Sequence, residues 1–180
     1  MNKFIDRMLR AAKLDPDLYE EVEADKSAMK QAMTVVVLSS VAAGIGSIGM
    51  GAGGPGRFLF GIIAALGGWY IWAYVTFLIG TKVLPEPQTK SDPGELLRTL
   101  GFASSPGFIR ALGIIPGLDA LVFAFASIWM LVAMVIAVRQ ALDYKSTVRA
   151  VGVCAIGWVI QIVIFTLLFS LLGGLPQSAG

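Results

Sequence analysis

The sequence predicts an all-α integral membrane protein: a five-span helical bundle with a kinked third span and an N-terminal amphipathic helix. Of its 180 residues, 56% are hydrophobic and only 14% are charged. The mean hydropathy of +0.76 is too high for a water-soluble domain of this length. Each bilayer crossing needs about 20 largely apolar residues, so several crossings leave no room for a large catalytic domain.

The residue content also excludes several kinds of chemistry. The chain has no histidine, which removes the usual base for a serine or cysteine nucleophile and a common ligand of zinc and haem. Its single cysteine, Cys154, cannot form an internal disulfide. The net charge of +2 is too small to indicate nucleic-acid binding. We therefore predict a protein that is not an enzyme and that has no catalytic residues, no cofactor, no bound metal and no nucleic-acid partner.

Residues 1–30 are predicted to form short cytoplasmic helices that are amphipathic or interfacial. In the first helix, Phe4 and Met8 lie on one face and Arg7 and Arg10 on the other. Two interpretations remain open. The helix is either an inner-leaflet anchor drawn to anionic lipid, or a solvated lead-in that packs on its own bundle.

Two Asp-Pro pairs predict where helices begin. Asp15 precedes Pro16, and Asp92 precedes Pro93 with Glu95 three positions after the aspartate. Aspartate is a favoured N-cap residue and proline suits the first helical position. The Asp92 pattern also has the reciprocal acidic partner of a capping box. We expect the second of the two short helices to run from Pro16 toward Lys30.

Residues 31–172 form the predicted transmembrane domain, and residues 173–180 are a short C-terminal tail. Long apolar runs define the spans, because a helix of about 20 residues covers the hydrocarbon thickness. The five predicted spans are residues 31–54, 58–80, 96–115, 118–138 and 150–172.

The first span carries a stripe of small residues that includes Gly44, Ser47 and Gly51. Small residues allow a second helix backbone to approach closely, which is how helices associate in lipid. Internal packing against the next span is the favoured interpretation, and a seam between two copies of the chain is the alternative.

The third span is the ambiguous one, because Arg98 lies within it and Pro106 interrupts it. It is either a kinked crossing or a re-entrant segment. Arg110 lies in its outer half, close to the turn after which Asp119 begins the next span. We expect Arg110 and Asp119 to form an ion pair across that turn, in a structural role.

The positions of the basic residues favour five crossings. If the third span crosses, twelve of the fourteen Lys and Arg residues lie on one side, and only Arg57 and Arg110 lie on the other. If the segment is re-entrant, Arg139 and the basic residues after it move to the outer face, which the positive-inside rule disfavours. The amino terminus is therefore predicted to be cytoplasmic and the carboxyl terminus outside.

Several polar groups lie deep in predicted spans. Trp129, Trp158 and Gln161 carry polar atoms that hydrocarbon cannot satisfy, so we expect them to face one another or another span. Packing is the favoured interpretation and a ligand cavity the alternative. Arg139 and Asp143 are four residues apart, so they would be able to pair on a helix that continues below the membrane, either as a surface feature or as half of a docking site.

The second half of the chain contains a series of short motifs. They are residues 97–107 (LRTLGFASSPG), 115–117 (IPG), 128–131 (IWML) and 137–142 (AVRQAL), followed by Ser146 and Arg149-Ala150. In these motifs the chain resembles bacterial members of the Yip family, five-span membrane proteins first known for binding Rab-type GTPases. The resemblance covers roughly residues 33–172. It implies a compact helical bundle with a cytoplasmic amino terminus, located in a bacterial-type inner membrane.

In eukaryotes, members of this family act in vesicle traffic, membrane shaping and GTPase recruitment. The small-residue stripe and the absence of acidic residues deep in the spans motivate the leading hypothesis, a non-enzymatic integral membrane protein that organises membrane or partner proteins through lateral helix contacts. Its expected partners are membrane lipid and either other membrane proteins or a second copy. One alternative is a small-molecule or ion permease, with a path along the broken third span, Trp129, Trp158 and Gln161. A second is an accessory subunit of a larger energy-transducing complex.

Overall fold

The structure is a computed structural model that describes residues 2–48 and 55–171, and every regular element in these residues is a helix. The α-helices are α1 (Lys3–Ala12), α2 (Pro16–Ala24), α3 (Met29–Ile48), α4 (Pro55–Leu78), α5 (Pro93–Phe102), α6 (Asp119–Ala141) and α7 (Thr147–Leu171). A 3-10 turn, Lys26–Ala28, leads into α3, and a π-helical turn, Ile79–Val83, ends α4. A longer 3-10 segment, Ser105–Ile114, follows α5.

The helix starts predicted at the two Asp-Pro pairs are confirmed. The Asp15 side chain accepts a hydrogen bond from the backbone N–H of Asp17. Asp92 and Glu95 form the complete capping box, each side chain bonding the other residue's backbone. The second short helix ends earlier than predicted, at Ala24, because Asp25 caps the next turn through Ser27 and the chain then enters α3.

Within the described ranges, four helical stretches are long and apolar enough to cross a membrane. They are Lys26–Ile48, Phe58–Val83, Asp119–Ala141 and Thr147–Ile164. The predicted third span, 96–115, corresponds to α5 and the 3-10 segment, which we call together the broken segment (residues 93–114). Each of its two helical pieces has only ten residues. Neither piece is therefore long enough by itself to span the hydrocarbon core.

α3 packs along the whole broken segment, and the two run in the same direction. At each close contact a glycine faces the other element, so the backbones approach where any side chain would collide. Three pairs of positions meet in the same order along both elements: Ala32 with Gly101, Ser39 with Gly107, and Gly46 with the carbonyl oxygen of Arg110.

α6 returns in the opposite direction along the same pair. The Phe123 ring lies beside Gly46 and Gly113 near the start of α6, and Met130 lies beside Gly107 further along. α4 packs against α3, α5 and α7, and α7 packs against α4 and α6. α3, α4, α6, α7 and the broken segment therefore form one helical bundle.

The two N-terminal helices complete the bundle at one end. α2 packs on α5 and α6, and its side chains Leu18, Tyr19 and Val22 are fully buried in that contact. The buried core continues from α2 into the bundle through Leu96, Phe102 and other side chains of the same cluster. The end of the bundle near Arg139 is thus covered by α2 and its fully buried side chains.

Candidate functional site

A cluster of ion pairs joins α1 to α2. Arg7 is only 1% exposed, and its guanidinium donates to Glu21 at 2.9 Å, to Asp25 at 2.6 Å and to the side-chain oxygen of Gln31 at 3.0 Å. Arg10 donates to the second oxygen of Glu21 at 2.6 Å. The charged face of the amphipathic helix α1 therefore lies against α2, on partners within its own chain.

These contacts hold the carboxylates in their charged form. The Ser27 hydroxyl and the Arg7 guanidinium both donate to Asp25 and lower its pKa to about 2. Burial would raise the pKa of Glu21, but its hydrogen bonds with Arg10 and Arg7 lower it overall. The cluster is consequently ionised throughout the physiological pH range.

The apolar face of α1 is partly open, because Phe4 and Met8 pack against the buried core while the edge formed by Ile5 and Leu9 does not. Ile5 is 48% exposed and Leu9 is 46% exposed, although Ala11 on the same helix is fully buried. The indole N–H of Trp129 donates to the carbonyl oxygen of Ala12 at 2.9 Å, and this carbonyl belongs to the last turn of α1, where helical partners are missing. Trp129 thus meets the N-terminal helix, and not the membrane span that the sequence leads one to expect.

Arg98 fixes α2 to the broken segment. It is 5% exposed, and its Nε donates to the carbonyl oxygens of Val22 at 3.0 Å and Glu23 at 3.1 Å. Its Nη2 also donates to the Glu23 carbonyl. A guanidinium at these carbonyls satisfies the C-terminal end of α2 and suits the negative end of the helix dipole.

Arg139 has a local structural contact at the end of α6. Its Nε donates to the backbone carbonyl of Tyr144 at 3.2 Å. In the part of the chain that the structure describes, Arg139 has no carboxylate within 4.0 Å, so the ion pair considered with Asp143 is not formed. The reason is local geometry: Asp143 has a φ of 54° and lies in the turn after α6, not on a continuing helix.

Glu86 joins two loops next to Arg139: the loop that follows α4 and the loop between α6 and α7. Its carboxylate accepts hydrogen bonds from the backbone N–H groups of Lys145 at 3.0 Å and Ser146 at 3.3 Å, and Arg149 lies 3.6 Å away. These donors, the Lys145 amide first, lower the pKa of Glu86. The Tyr144 hydroxyl donates to the Leu84 carbonyl at 2.7 Å or the Gly80 carbonyl at 2.9 Å, which ties the same two loops together.

Between its helices the bundle has an open cavity of about 780 Å³, which lies toward the end that contains Arg110. All five of its elements contribute to the lining: α3, α4, the broken segment, α6 and α7. Among the residues predicted from the sequence, Gly44, Ser47, Arg110, Trp158 and Gln161 line this cavity. The cavity ends near Leu100 and Trp72, and a turn further toward α2 the core side chains, such as Ala32, Leu96 and Ala137, are fully buried.

The glycine and serine of the predicted stripe act inside the bundle. A methyl group on Gly44 would lie 2.5 Å from the Phe58 ring, so Gly44 leaves the space that this α4 side chain occupies. The Ser47 hydroxyl donates to the Gly44 carbonyl at 2.7 Å. The third residue of the stripe, Gly51, lies outside the described residues.

Arg110 contacts α6, but not through Asp119. Its Nη2 donates to the Ser127 hydroxyl at 3.2 Å, and its guanidinium carbon lies 5.7 Å from the centre of the Phe123 ring. No described carboxylate lies within 4.0 Å of it, so the direct ion pair expected with Asp119 is not formed. The side chain instead follows α6 from Phe123 to Ser127, a turn or more beyond Asp119, and borders the cavity.

Pro106 is buried at the second position of the 3-10 segment. Proline has no N–H to donate and disfavours α-helical geometry in the residue before it, so the α-helix cannot continue through Ser105. Three structurally prominent residues were not predicted from the sequence to be site residues. They are the buried Arg7, Glu86 with its loop contacts, and Trp72 in the cavity. The first short helix is basic and the second is acidic. This complementary charge was the one signal in the sequence that pointed to the cluster around Arg7.

In the ranges that the structure describes, no group of three or more Cys, Asp or Glu side chains is placed to hold a metal ion. Comparison with curated proteins and with solved structures finds no match. The model of the Yip1 domain family matches residues 14–169, which takes in α2 and all the bundle helices up to near the end of α7. Because this match covers most of the chain, the protein belongs to the Yip1 domain family.

Proposed function

We propose that this multi-pass membrane protein is non-enzymatic, crosses the bilayer five times, and organises lipids and partner proteins at the cytoplasmic leaflet. Its contacts are lateral, made by helix surfaces within the membrane. The observation that carries the proposal is the fixed orientation of α1, whose charged residue Arg7 is used inside the protein while the apolar residues Ile5 and Leu9 stay exposed.

The direction of the broken segment supports five crossings. A re-entrant segment would return along its own path, whereas the broken segment meets α3 in one continuous order from Gly101 through Gly107 to Arg110. Its length is also sufficient, because its ten α-helical and ten 3-10 residues extend about 35 Å even without the link between them. The hydrocarbon core is about 30 Å thick.

The charge distribution supports a cytoplasmic location for the end that carries α1 and α2. Arg98, Arg139 and Arg149 lie at this end with the basic residues of the N-terminal helices, while Arg110 lies toward the other end. Excess Lys and Arg on one side is typical of the cytoplasmic face. Such a protein would lie in a bacterial-type inner membrane, with its carboxyl terminus outside.

The orientation of α1 supports a role in the inner leaflet. An amphipathic helix that binds a membrane by charge keeps its basic face free for anionic head groups. In α1, Arg7 and Arg10 are instead neutralised by acidic residues of α2, so attraction to head groups is weak. Ile5 and Leu9 remain exposed and offer an apolar surface to acyl chains or to a partner helix.

Photo-crosslinking tests this surface. A photoreactive amino acid at Leu9 is expected to form adducts with phospholipid or with a second protein, because this position is exposed. The matched control is Ala11, which is fully buried on the same helix and should react only within the chain. Leu9 adducts confined to the chain itself would contradict the proposal.

A double substitution tests whether the exposed apolar side chains of α1 recruit lipids or partner proteins. Ile5→Ser with Leu9→Ser removes exposed apolar side chains without touching the Arg7 cluster, so thermal stability in detergent should change little. The set of lipids and proteins that co-purifies with the chain is expected to shrink. An unchanged set, measured by mass spectrometry after gentle extraction, would argue against a role for α1.

The central cavity favours a permease as the second candidate function, because Arg110 and Gln161 line it beside several serines. A permease needs access to such a site from both sides, and the packed core between the cavity and α2 blocks one of them in this conformation. In a Cys154→Ser background, Ser104→Cys should react with a small aqueous thiol reagent from both sides if the protein transports. Reaction from one side or from neither would exclude transport through this cavity.

A further inference from the structure

We propose that the central cavity and the groove between α6 and α7 together bind one acidic phospholipid, with its phosphate beside Arg110 and an acyl chain in the groove. This inference goes beyond the role proposed for α1 and rests on different residues. It begins from an arginine whose charge the described part of the protein does not balance.

Arg110 borders the cavity without a carboxylate within 4.0 Å in the described ranges. Its neutral contacts are the Ser127 hydroxyl and the Phe123 ring. A buried charge in a membrane protein is costly unless an opposite charge or a strong hydrogen-bond acceptor lies beside it. The undescribed residues 1, 49–54 and 172–180 contain no Asp or Glu side chain. The cavity is therefore the place from which a bound anion would neutralise Arg110.

Other polar atoms of the lining also lack partners. Within the described residues, Arg110 Nε, the indole N–H of Trp72 and the side-chain oxygen of Gln161 are buried without a hydrogen bond. Trp72 is only 7% exposed, so its N–H has little access to solvent. Buried polar groups in proteins are nearly always paired, and the two unpaired donors, Arg110 Nε and the Trp72 N–H, favour an acceptor at this cavity, whereas the Gln161 oxygen needs a donor. Phosphate suits a guanidinium, which donates through two N–H groups at once.

The second part of the site is apolar. A groove of about 530 Å³ runs between α6 and α7 and is lined by side chains such as Val135, Val151 and Val159. Trp158 lines both this groove and the cavity, and it is 61% exposed. The polar and apolar spaces therefore meet at one indole. A molecule with an anionic head and a hydrocarbon chain matches both, whereas free phosphate would leave the groove unused.

The two volumes fit this class of ligand. Sites for small molecules have volumes of about 300–1,000 Å³, so the cavity is large enough for a phosphate-bearing head group. A net negative lipid is required, because only a net charge offsets Arg110. Zwitterionic phosphatidylcholine carries its own cation and is expected to bind more weakly.

Lipid titration followed by native mass spectrometry and thermal unfolding tests the proposal on the full chain in detergent. Phosphatidylglycerol is expected to bind with one tight site and to raise the unfolding temperature by several degrees. Phosphatidylcholine and inorganic phosphate are the two comparison ligands. Equal stabilisation by phosphatidylcholine would show that a net negative charge is not needed for binding. Equal stabilisation by inorganic phosphate would show that the acyl chain is not needed. Either result would overturn the proposal.

Two variants locate the site. Arg110→Gln should weaken phosphatidylglycerol binding about tenfold or more, since a charge-assisted hydrogen bond is lost. Lys30→Gln removes an exposed positive charge remote from the cavity and is expected to bind like the wild type. If Arg110→Gln does not fold, Ala155→Phe is the second test, because it fills the groove from an exposed position and leaves Arg110 intact. Wild-type affinity in a folded Arg110→Gln, or in Ala155→Phe, would refute the site.

Discussion

Two arginines illustrate how differently this protein treats buried charge. Arg7 is almost completely buried, and it is surrounded by two carboxylates and a glutamine side chain. Arg110 borders a cavity and contacts only a hydroxyl and an aromatic ring. The first arrangement is self-sufficient and stabilises the N-terminal helices. The second is incomplete without an anion, which is why we assign it a ligand.

Removing Arg7 should therefore destabilise the protein. Arg7→Ala removes the hydrogen-bonded cation of Asp25 and leaves Glu21 with Arg10 alone, and we expect a loss of about 2–3 kcal/mol in the free energy of unfolding, since both carboxylates keep partial access to water. Lys3→Ala is the matched control. Lys3 is 67% exposed and about 4 Å from the same carboxylates, so its loss should cost about 0.5 kcal/mol or less. Denaturant unfolding in detergent measures both, and equal effects would contradict a special role for Arg7.

Glu23 makes the stability of this region depend on pH. Its Oε2 atom is buried without a hydrogen bond, and burial together with the charges of Glu95, Glu20 and Asp143 raises its pKa from 4.5 to about 8, while Arg98 opposes the shift. Between these two values the folded protein keeps a proton that the unfolded chain releases. The contribution of Glu23 is therefore complete below 4.5 and is lost as the pH rises to about 8.

Glu23→Gln should remove this dependence, because the amide does not ionise. Above pH 8 we expect the free energy of unfolding of the variant to be about 1–2 kcal/mol higher than that of the wild type. This value is reduced to allow for partial solvent screening. Asp17→Asn, an exposed site on the same helix, should keep the wild-type slope. Thermal unfolding of all three proteins across this pH range provides the measurement, and parallel curves for Glu23→Gln and wild type would disprove the assignment.

At the scale of elements, the broken segment depends on close backbone approach. Its 3-10 half lies against α3 at Gly46 and Gly107, where an added methyl group would collide with the Arg110 carbonyl or with Ser39. In lipid, such contacts replace the hydrophobic drive that joins helices in water. The small-residue stripe of the first span is therefore used within the protein, which leaves other surfaces, such as α1, for partners.

Gly46→Ala is expected to separate α3 from the broken segment. The new methyl group meets backbone, which cannot rotate away as a side chain can, so we expect a cost of about 2–3 kcal/mol. Gly67→Ala in α4 is the control. No atom lies within 4 Å of its added methyl group, and replacing a helical glycine with alanine should be neutral or stabilise by up to about 1 kcal/mol. Comparable losses in both variants would indicate that close packing at Gly46 is unimportant.

At the scale of the whole molecule, the N-terminal helices are part of the bundle. α2 is fixed to the broken segment by Arg98, and the end of α1 is fixed to α6 by Trp129. The N-terminal helices are therefore attached to the bundle at both of these contacts. Any partner that binds α1 therefore binds the bundle end as one unit.

The number of crossings is open to direct measurement. In a Cys154→Ser background, Lys90→Cys and Lys145→Cys place single thiols in exposed loops on either side of the broken segment and α6. Five crossings predict that an impermeant maleimide labels both only after the cells are opened, and that Ile115→Cys is labelled in intact cells. Labelling of Lys90→Cys and Lys145→Cys from opposite sides would show that the broken segment does not cross.

Predictions from the sequence were correct where they depended only on neighbouring residues at one end of a helix. Asp15 and Asp92 are N-caps as expected, because capping depends on residues only two or three positions apart. The expected ion pairs Arg110 with Asp119 and Arg139 with Asp143 failed, because each depends on where a turn directs the next helix. The 3-10 geometry after Pro106 and the positive φ of Asp143 set those directions.

Apolar content, span length and short motifs are properties of the linear chain, and they are enough to identify a helical membrane protein of the Yip1 domain family. Which charges are neutralised became known from the folded arrangement alone. It placed Arg7 among carboxylates of α2 and left Arg110 beside an open cavity. The physical reason is that burial and pairing depend on residues far apart in sequence, and the interaction between two charges depends on their distance and surroundings in three dimensions.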